Sequence, residues 1–462
     1  MYRLLHATAV AGALLTGACR AAEPYRPSPV DLRASLRAWT LRVPDAPGVR
    51  EYAASLARIA PGERGPYDPT DGLTLEEAEA VALLFNPDVR IARLEARVPA
   101  MAAEQAGRPP DPRIQLDVLR IVESVASPWI LASGLQLTVP VSGRLGAERA
   151  TALAEAGVAR REAYVAEVQT IAHLREAWNE WSAVGERAAL VNAHLEGLDG
   201  VLGMARAQRE GNQIGEPELR VLEIERVRSQ GRLETLRREA ARHELALKRW
   251  MGLAPEAEVT LVPSFTVDAE ALDLATERER LCQVSPELAL AQAQYVKSER
   301  ALRLELLKRQ QDATFGPLLE AEDDQARLGG TIDIPLIVGN GNRQAIAEAY
   351  ARRDAARGTL EARQEDLMGE LADRHAAWEA AEARDAWVRE HVAPLADQQL
   401  AELKTLGELG DLDVLILKDA LSSLLEAKEE LLDARLERAQ ASTRIHTLVT
   451  PLRTPYLEGS SR

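Results

Sequence analysis

Two stretches of this chain run without helix breakers far longer than a compact domain requires. Residues 144–209 contain no proline and place Val165, Val168, Ile171, Ala172, Leu174 and Trp178 mostly three or four residues apart, the spacing that lines one face of an α-helix. Residues 344–406 repeat the pattern with Pro394 as the interruption. A helix of ~65 residues, rising about 1.5 Å per residue, extends on the order of 100 Å. Such helices need partners lying alongside them in the coiled-coil manner. Composition fits that demand, since 46% of residues are hydrophobic but only 4% aromatic, with three Phe in 462 residues. Small and straight-chain side chains let long helices approach closely.

The two stretches belong to two similar halves. Leu73-Thr74-Leu75-Glu76-Glu77-Ala78 and then Asn86-Pro87-Asp88-Val89 lead a helical pattern in the first, and Cys282-Gln283-Val284-Ser285-Pro286-Glu287-Leu288 leads one in the second. Leu135-Gln136-Leu137-Thr138-Val139-Pro140 is answered by Thr331-Ile332-Asp333-Ile334-Pro335, and Gly211-Asn212-Gln213-Ile214-Gly215-Glu216 by Gly407-Glu408-Leu409-Gly410-Asp411. All three landmarks recur about 200 residues apart, the mark of an internal duplication. Each half reads as helix, two short strands, very long helix, tight turn, helix. The strands are expected over residues 114–121 and 129–139, then 314–322 and 326–334, where apolar and polar residues partly alternate. The halves are therefore expected over residues 73–252 (tip about 211–217) and 274–450 (tip about 407–413), with residues 253–273 as a linker and 451–462 as a tail.

The start of the chain reads as an export signal over residues 1–18. Arg3 is followed by an uncharged apolar run over residues 7–15 and by Thr16-Gly17-Ala18-Cys19; the run is too short to span a bilayer. Small residues before Cys19 resemble a bacterial lipobox, with Thr16 where that motif usually has Leu, and imply lipidation of Cys19 and an anchor segment over residues 19–72. Arg20, in place of Asp, implies by the same resemblance delivery to the outer membrane. Lipidation would leave Cys282 as the one remaining cysteine, so no intramolecular disulfide is expected.

No run of eighteen apolar residues follows, so a membrane crossing would have to be made by closed β-structure. Strands of roughly nine to eleven residues have the length a tilted membrane strand needs. Four strands in lipid would expose two edges, whereas three chains supply twelve, an even-numbered barrel. The expected fold is mainly α with a small β part: long coiled-coil-like helical hairpins forming an α-barrel, and four strands per chain contributing to a 12-stranded trimeric transmembrane β-barrel.

This organisation resembles the TolC family of outer-membrane factors. Val139-Pro140-Val141-Ser142-Gly143-Arg144 and Ile334-Pro335-Leu336-Ile337-Val338-Gly339 match that family's apolar-Pro-apolar-x-Gly junctions between strand and helix, at Pro140, Gly143, Pro335 and Gly339. Residues 106–112, just ahead of the first strand, resemble the divalent-metal efflux branch. The resemblance implies a homotrimer, a belt drawing on residues 25–67, 253–273 and the tail, and passive conduction to the exterior. It also implies a periplasmic adaptor (membrane fusion) protein meeting tips that turn at Gly211, Gly215, Gly407 and Gly410, an inner-membrane pump such as an RND transporter, and outer-membrane lipid around the barrel. Asp413-Val414-Leu415-Ile416 matches the first acid of the family's acidic gate pattern and departs from the second at Ile416, leaving Asp413, Asp411 and Glu408 as gate candidates. Repeated three times around an axis, such carboxylates would favour cations; as helix caps they would simply satisfy backbone amides.

Other function classes find little support. A formal net charge of −16 argues against nucleic acid as a partner. His173, His194, His243, His375, His391 and His446 lack metal-ligand spacing and are expected at solvated helix positions, so neither a metal, another cofactor nor a catalytic residue is expected. Trp178, Trp181, Trp250, Trp378 and Trp387 are expected to pack between helices. A pore-less coiled-coil lipoprotein spanning the periplasm would explain the helices and the anchor, but not the strand pairs recurring at equivalent points. Type I protein secretion remains open beside solute efflux.

Overall fold

A computed structural model describes residues 25–59, 65–122, 129–265, 273–310, 312–322, 325–334, 341–408 and 413–449. The chain divides into two units, residues 1–42 and 43–462. In the first, α1 (Leu32–Thr40) starts at Asp31, whose carboxylate accepts the Arg33 and Ala34 amides.

The second unit begins with α2 (Pro47–Ile59), α3 (Leu75–Phe85) and α4 (Pro87–Gln105). A β-hairpin, β1 (Arg113–Arg120) and β2 (Trp129–Val139), precedes α5 (Arg144–Glu210) and α6 (Glu216–Trp250). The order then recurs as α7 (Leu274–Val284), α8 (Pro286–Leu307), β3 (Ala313–Glu322), β4 (Gln325–Asp333), α9 (Arg343–Trp387), α10 (Ala393–Glu408) and α11 (Val414–Val449). At 67 residues, α5 is about 100 Å long.

The same physical device opens both halves. Asn86 ends α3 by donating its amide to Ala82 and starts α4 by accepting the Asp88 and Val89 amides on Oδ1. Ser285 does both jobs between α7 and α8, through Leu281 and Leu288. A proline follows each cap at the first helical position, where its missing N–H costs nothing. At the front of α3, Thr74 and Glu77 form a reciprocal capping box.

α5 is the axis of the unit. Its first half lies between α4 and α8, with α9 beyond α8; its second half lies between α6 and α11, with α9 again beyond. Cross-helix ion pairs mark these neighbours: Arg93 to Glu167 at 2.6 Å and Lys297 to Glu155 at 2.9 Å near one end, Arg226 to Asp199 at 2.5 Å near the other. The largest core cluster among the described residues gathers Trp178, Leu174, Leu83, Leu247 and Met251, with Val49 and Leu56 of α2 in it. The linker after α6 is tied to this region: Leu73 and Leu261 form a parallel bridge, and the Ser182 hydroxyl donates to the Ser264 carbonyl at 3.0 Å.

The second long helix is not continuous. Residues Val388–Val392 form a π-turn in which the Ala393 amide donates to Val388, five residues back. Pro394 follows immediately and has no amide to continue an α-helical ladder, so the widened turn absorbs the interruption.

The histidine expectation fails at two places. His194 and His375 are 5% and 6% exposed, facing neighbouring helices instead of solvent. Trp178 is fully buried as expected, but Trp387 is 56% exposed.

Candidate functional site

The four strands make one antiparallel sheet in the order β1-β2-β3-β4. Its registers sort every side chain onto one of two faces. Pairings of Ile114 with Leu135, Leu137 with Phe315, and Phe315 with Ile332 place these residues on one face, together with Leu116, Val118, Leu131, Leu319 and Leu328. Gln115, Asp117, Gln136, Thr138, Thr314, Glu320, Arg327 and Asp333 fall on the other, with Leu119, Ile130 and Leu318 as its large apolar residues. The apolar face carries one charge, Arg120, at the hairpin end, where its guanidinium lies 5.6 Å from the Trp129 ring centroid. The polar face is bonded within itself: Gln115 to Asp117 at 2.8 Å, Gln136 to Gln115, and Arg327 to Glu320 at 3.4 Å.

Nothing in the described unit covers the apolar face. Leu116 is 63% exposed, Leu328 82% and Ile332 77%. Each large apolar side chain left in water forgoes about 1.5–3 kcal/mol. Among the described residues the outer edges of β1 and β4 also lack strand partners. A sheet apolar on one side, polar on the other and open at both edges is suited to a closed barrel with lipid outside and water inside.

At its base the sheet is tied to the helices. Gly143, with φ +74°, opens α5, and Arg144 reaches from that first turn to Asp312, just ahead of β3, at 2.5 Å. Hydrogen bonding to Asp312 is the largest cause holding the Arg144 pKa above its ordinary value. The matching left-handed residue before α9 is Asn342, with φ +60°, whose side chain donates to the Glu305 carbonyl at 2.8 Å. Pro140 lies in the bend between β2 and α5, while Pro335 and Gly339 lie outside the described residues.

At the far end, α5 turns into α6. Gly211 and Gly215 occupy the turn, but neither takes a positive φ; Asn212 does, at +57°. Gly215 caps α6 in an extended conformation open to other residues. Its amide donates to Glu218 Oε2 at 2.5 Å. In the second half, Gly407 and Glu408 end α10, and Gly410 and Asp411 lie outside the described residues. Asp413 is exposed and starts α11, accepting the Leu415 amide on Oδ1 at 2.8 Å. Behind it, Val414 and Leu417 pack with Val201, Leu202, Ala205 and Leu222.

Sequence reasoning missed one feature. Ile91, Leu94, Val98 and Met101 form a stripe at intervals of three and four residues along α4, all more than half exposed. That spacing is a coiled-coil seam, legible as such, and among the described residues no helix covers it. Val221, Ile224 and Val227 continue the theme on α6.

Several solved structures superpose on the chain over most of their length. CusC, whose crystal structures concern folding and transmembrane channel formation, aligns with a TM-score of 0.65 at 14% identity, covering 82% of this chain and 92% of that one. The outer membrane protein VceC of Vibrio cholerae gives 0.64 at 16% identity, covering 82% and 97%, and the CmeC outer membrane channel of Campylobacter jejuni 0.64 at 11%, covering 87% and 93%. This is the TolC-type fold. No family model and no curated protein matches the sequence, so the likeness is one of architecture. The TolC-type fold accounts for both the mainly helical architecture with its small sheet and the long helices read from the sequence. Among the described residues, no helix is long and apolar enough to cross a membrane, and no group of His, Cys, Asp and Glu could hold a metal.

Proposed function

We propose that three copies of this chain form an outer-membrane channel, the passive exit duct of a tripartite efflux system. The observation that carries this reading is the two-faced, open-edged sheet at one end of a 67-residue helix. Three such sheets close a 12-stranded barrel whose apolar face meets lipid and whose Gln115, Asp117, Gln136 and Glu320 face water. The exposed seams on α4 and α6 supply the contacts between neighbouring copies. Two repeats, residues 73–252 and 274–450, then build the tunnel wall. Lipid on Cys19 would anchor the assembly, and the tips around residues 211–217 and 407–413 would meet an adaptor protein attached to an inner-membrane pump.

Rings of Asp413, with Asp411 and Glu408, would give the entrance a preference for cations. No step needs a catalytic group, because the pump supplies the energy. Likeness to channels such as CmeC supports the reading at the level of fold. Planar-bilayer recordings of the purified protein test it. Discrete conductance steps with a reversal potential favouring cations are expected; absence of any conductance from inserted trimers would overturn it.

A further inference from the structure

Alongside the first half of α5 the helices pack in the order α4-α5-α8-α9, so α4 and α9 are the outer members of this layer. The sheet has the same ends: α4 leads into the edge strand β1, and α9 follows the other edge strand, β4. Each outer helix turns a patterned face away from its own neighbours. On α4, Val89, Ala96 and Ala103 are buried, and Ile91, Leu94, Val98 and Met101 form the exposed seam on the opposite side. On α9, Leu367 and Leu371 are fully buried, and the opposite side carries Gly358, Ala362 and Gly369, with Glu365 as its charged member, all exposed. One outer face is built of large apolar side chains, and the other is largely bare backbone.

Among the described residues nothing explains Gly358 and Gly369. Both sit inside an α-helix, where glycine is a poor former, and a Cβ at either would meet nothing within 4 Å. Glycine is useful at such a position where another element must approach the backbone closely.

Depth along the helices matches the two faces. On α8, Lys297 pairs with Glu155 of α5 at 2.9 Å and Glu299 with Arg353 of α9 at 3.8 Å, so equal distances from the sheet-end starts of α5 and α9 mark equal depths. Arg93, paired with Glu167 of α5, sets α4 on the same scale. At 1.5 Å per residue, the seam from Met101 to Ile91 and the face from Gly358 to Gly369 both span depths of about 23 to 38 Å. Rotation about a threefold axis preserves depth and makes contacts heterologous, so α4 meets a different helix of the next copy and not itself.

Resting on the channel reading above, we propose that the α4 seam of one copy packs antiparallel on the glycine face of α9 in the next, with Met101 beside Gly358, Val98 beside Ala362 and Ile91 beside Gly369. Closing β4 of one copy onto β1 of the next brings these two helices together, and the large side chains of one fill the space left by the other.

The test is cross-linking of the full-length protein in outer membranes, in a Cys282→Ser background, with a short bismaleimide. Val98→Cys combined with Ala362→Cys should give covalent dimers and trimers on denaturing gels. Each substitution alone should give none, and neither should Ile91→Cys with Ala351→Cys, about 25 Å apart in depth. A second readout separates contact from helix propensity. Leucine is the better helix former, so at a freely exposed position Gly358→Leu would leave assembly unchanged or improve it. As a contact point it should lower the recovered heat-resistant trimer about tenfold or more, through overpacking repeated in three copies, while Gln364→Leu, exposed but off this face, should leave the yield unchanged. Intact trimers with no cross-link between positions 98 and 362, cross-linking of Val98→Cys with itself, or Gly358→Leu trimers at the parent yield would overturn the proposed contact and leave the channel reading standing. Absence of any trimer from the parent protein would overturn both.

Discussion

Adjacent residues in β2 offer a sharp test of the two-faced sheet. Leu135 lies mid-strand on the apolar face, and Gln136 lies beside it on the polar face, its amide donating to Gln115. An arginine facing lipid near the bilayer midplane destabilises a barrel by about 2–4 kcal/mol. With three copies, Leu135→Arg should therefore cost the trimer roughly 6–12 kcal/mol, comparable to the whole stability of an ordinary domain. Gln136→Arg places the same charge on the water-facing side, opposite Arg113, and loses its contact to Gln115, together costing about 1 kcal/mol per chain in water. The assay is the amount of heat-resistant trimer recovered from outer membranes, with the urea midpoint of the purified protein in liposomes as a second readout. Leu135→Arg should leave little trimer, and Gln136→Arg should leave nearly the normal amount. Equal losses, or a larger loss from Gln136→Arg, would refute the assignment of faces.

Asp413→Ala should lower stability by about 1 kcal/mol through loss of the cap on Leu415; combined with Asp411→Ala it should also weaken cation preference in bilayers, and unchanged selectivity would reduce both residues to structural roles. Arg93 donates to Glu167 at 2.6 Å, to the Leu83 carbonyl at 2.7 Å and to the Tyr52 hydroxyl at 2.8 Å. Arg93→Met strands a fully buried carboxylate and should cost about 3–5 kcal/mol in urea unfolding, much of it recovered by adding Glu167→Leu. His194 has a lowered pKa in the fold, chiefly from burial, so below its unfolded value of 6.5 the unfolded chain binds more protons. Its contribution is fully present above that pH and is lost as pH falls; His194→Leu should flatten the acid side of the stability profile relative to the parent protein.

Much of the fold was legible because its strongest signals are local. Asn86-Pro87 and Ser285-Pro286 carry a cap and a helix start in adjacent residues. The strands lie within two residues of their expected limits, since Pro140 and the acidic turns bracket alternating segments. What escaped depends on tertiary neighbours. His194 and His375 are polar letters in helical runs, and only the helices beside them decide that they are buried. Pro394 gave warning of an interruption, but the five-residue spacing it requires in Val388–Val392 belongs to the packed helix. At the first tip the glycines drew attention, whereas the left-handed turn falls to Asn212, a residue type that enters that region more readily than other non-glycine residues. Among the site residues, Asp413 is resolved as a cap, while Cys19, Asp411 and Gly410 lie outside the described residues.

The claim on which the rest depends is that one chain supplies a third of a membrane barrel. Single-particle electron microscopy of the protein purified from outer membranes in mild detergent tests it directly. The account predicts threefold tubes more than about 100 Å long, with a barrel at one end and helices continuing from it. Monomeric or dimeric helical rods whose sheets remain open would contradict it.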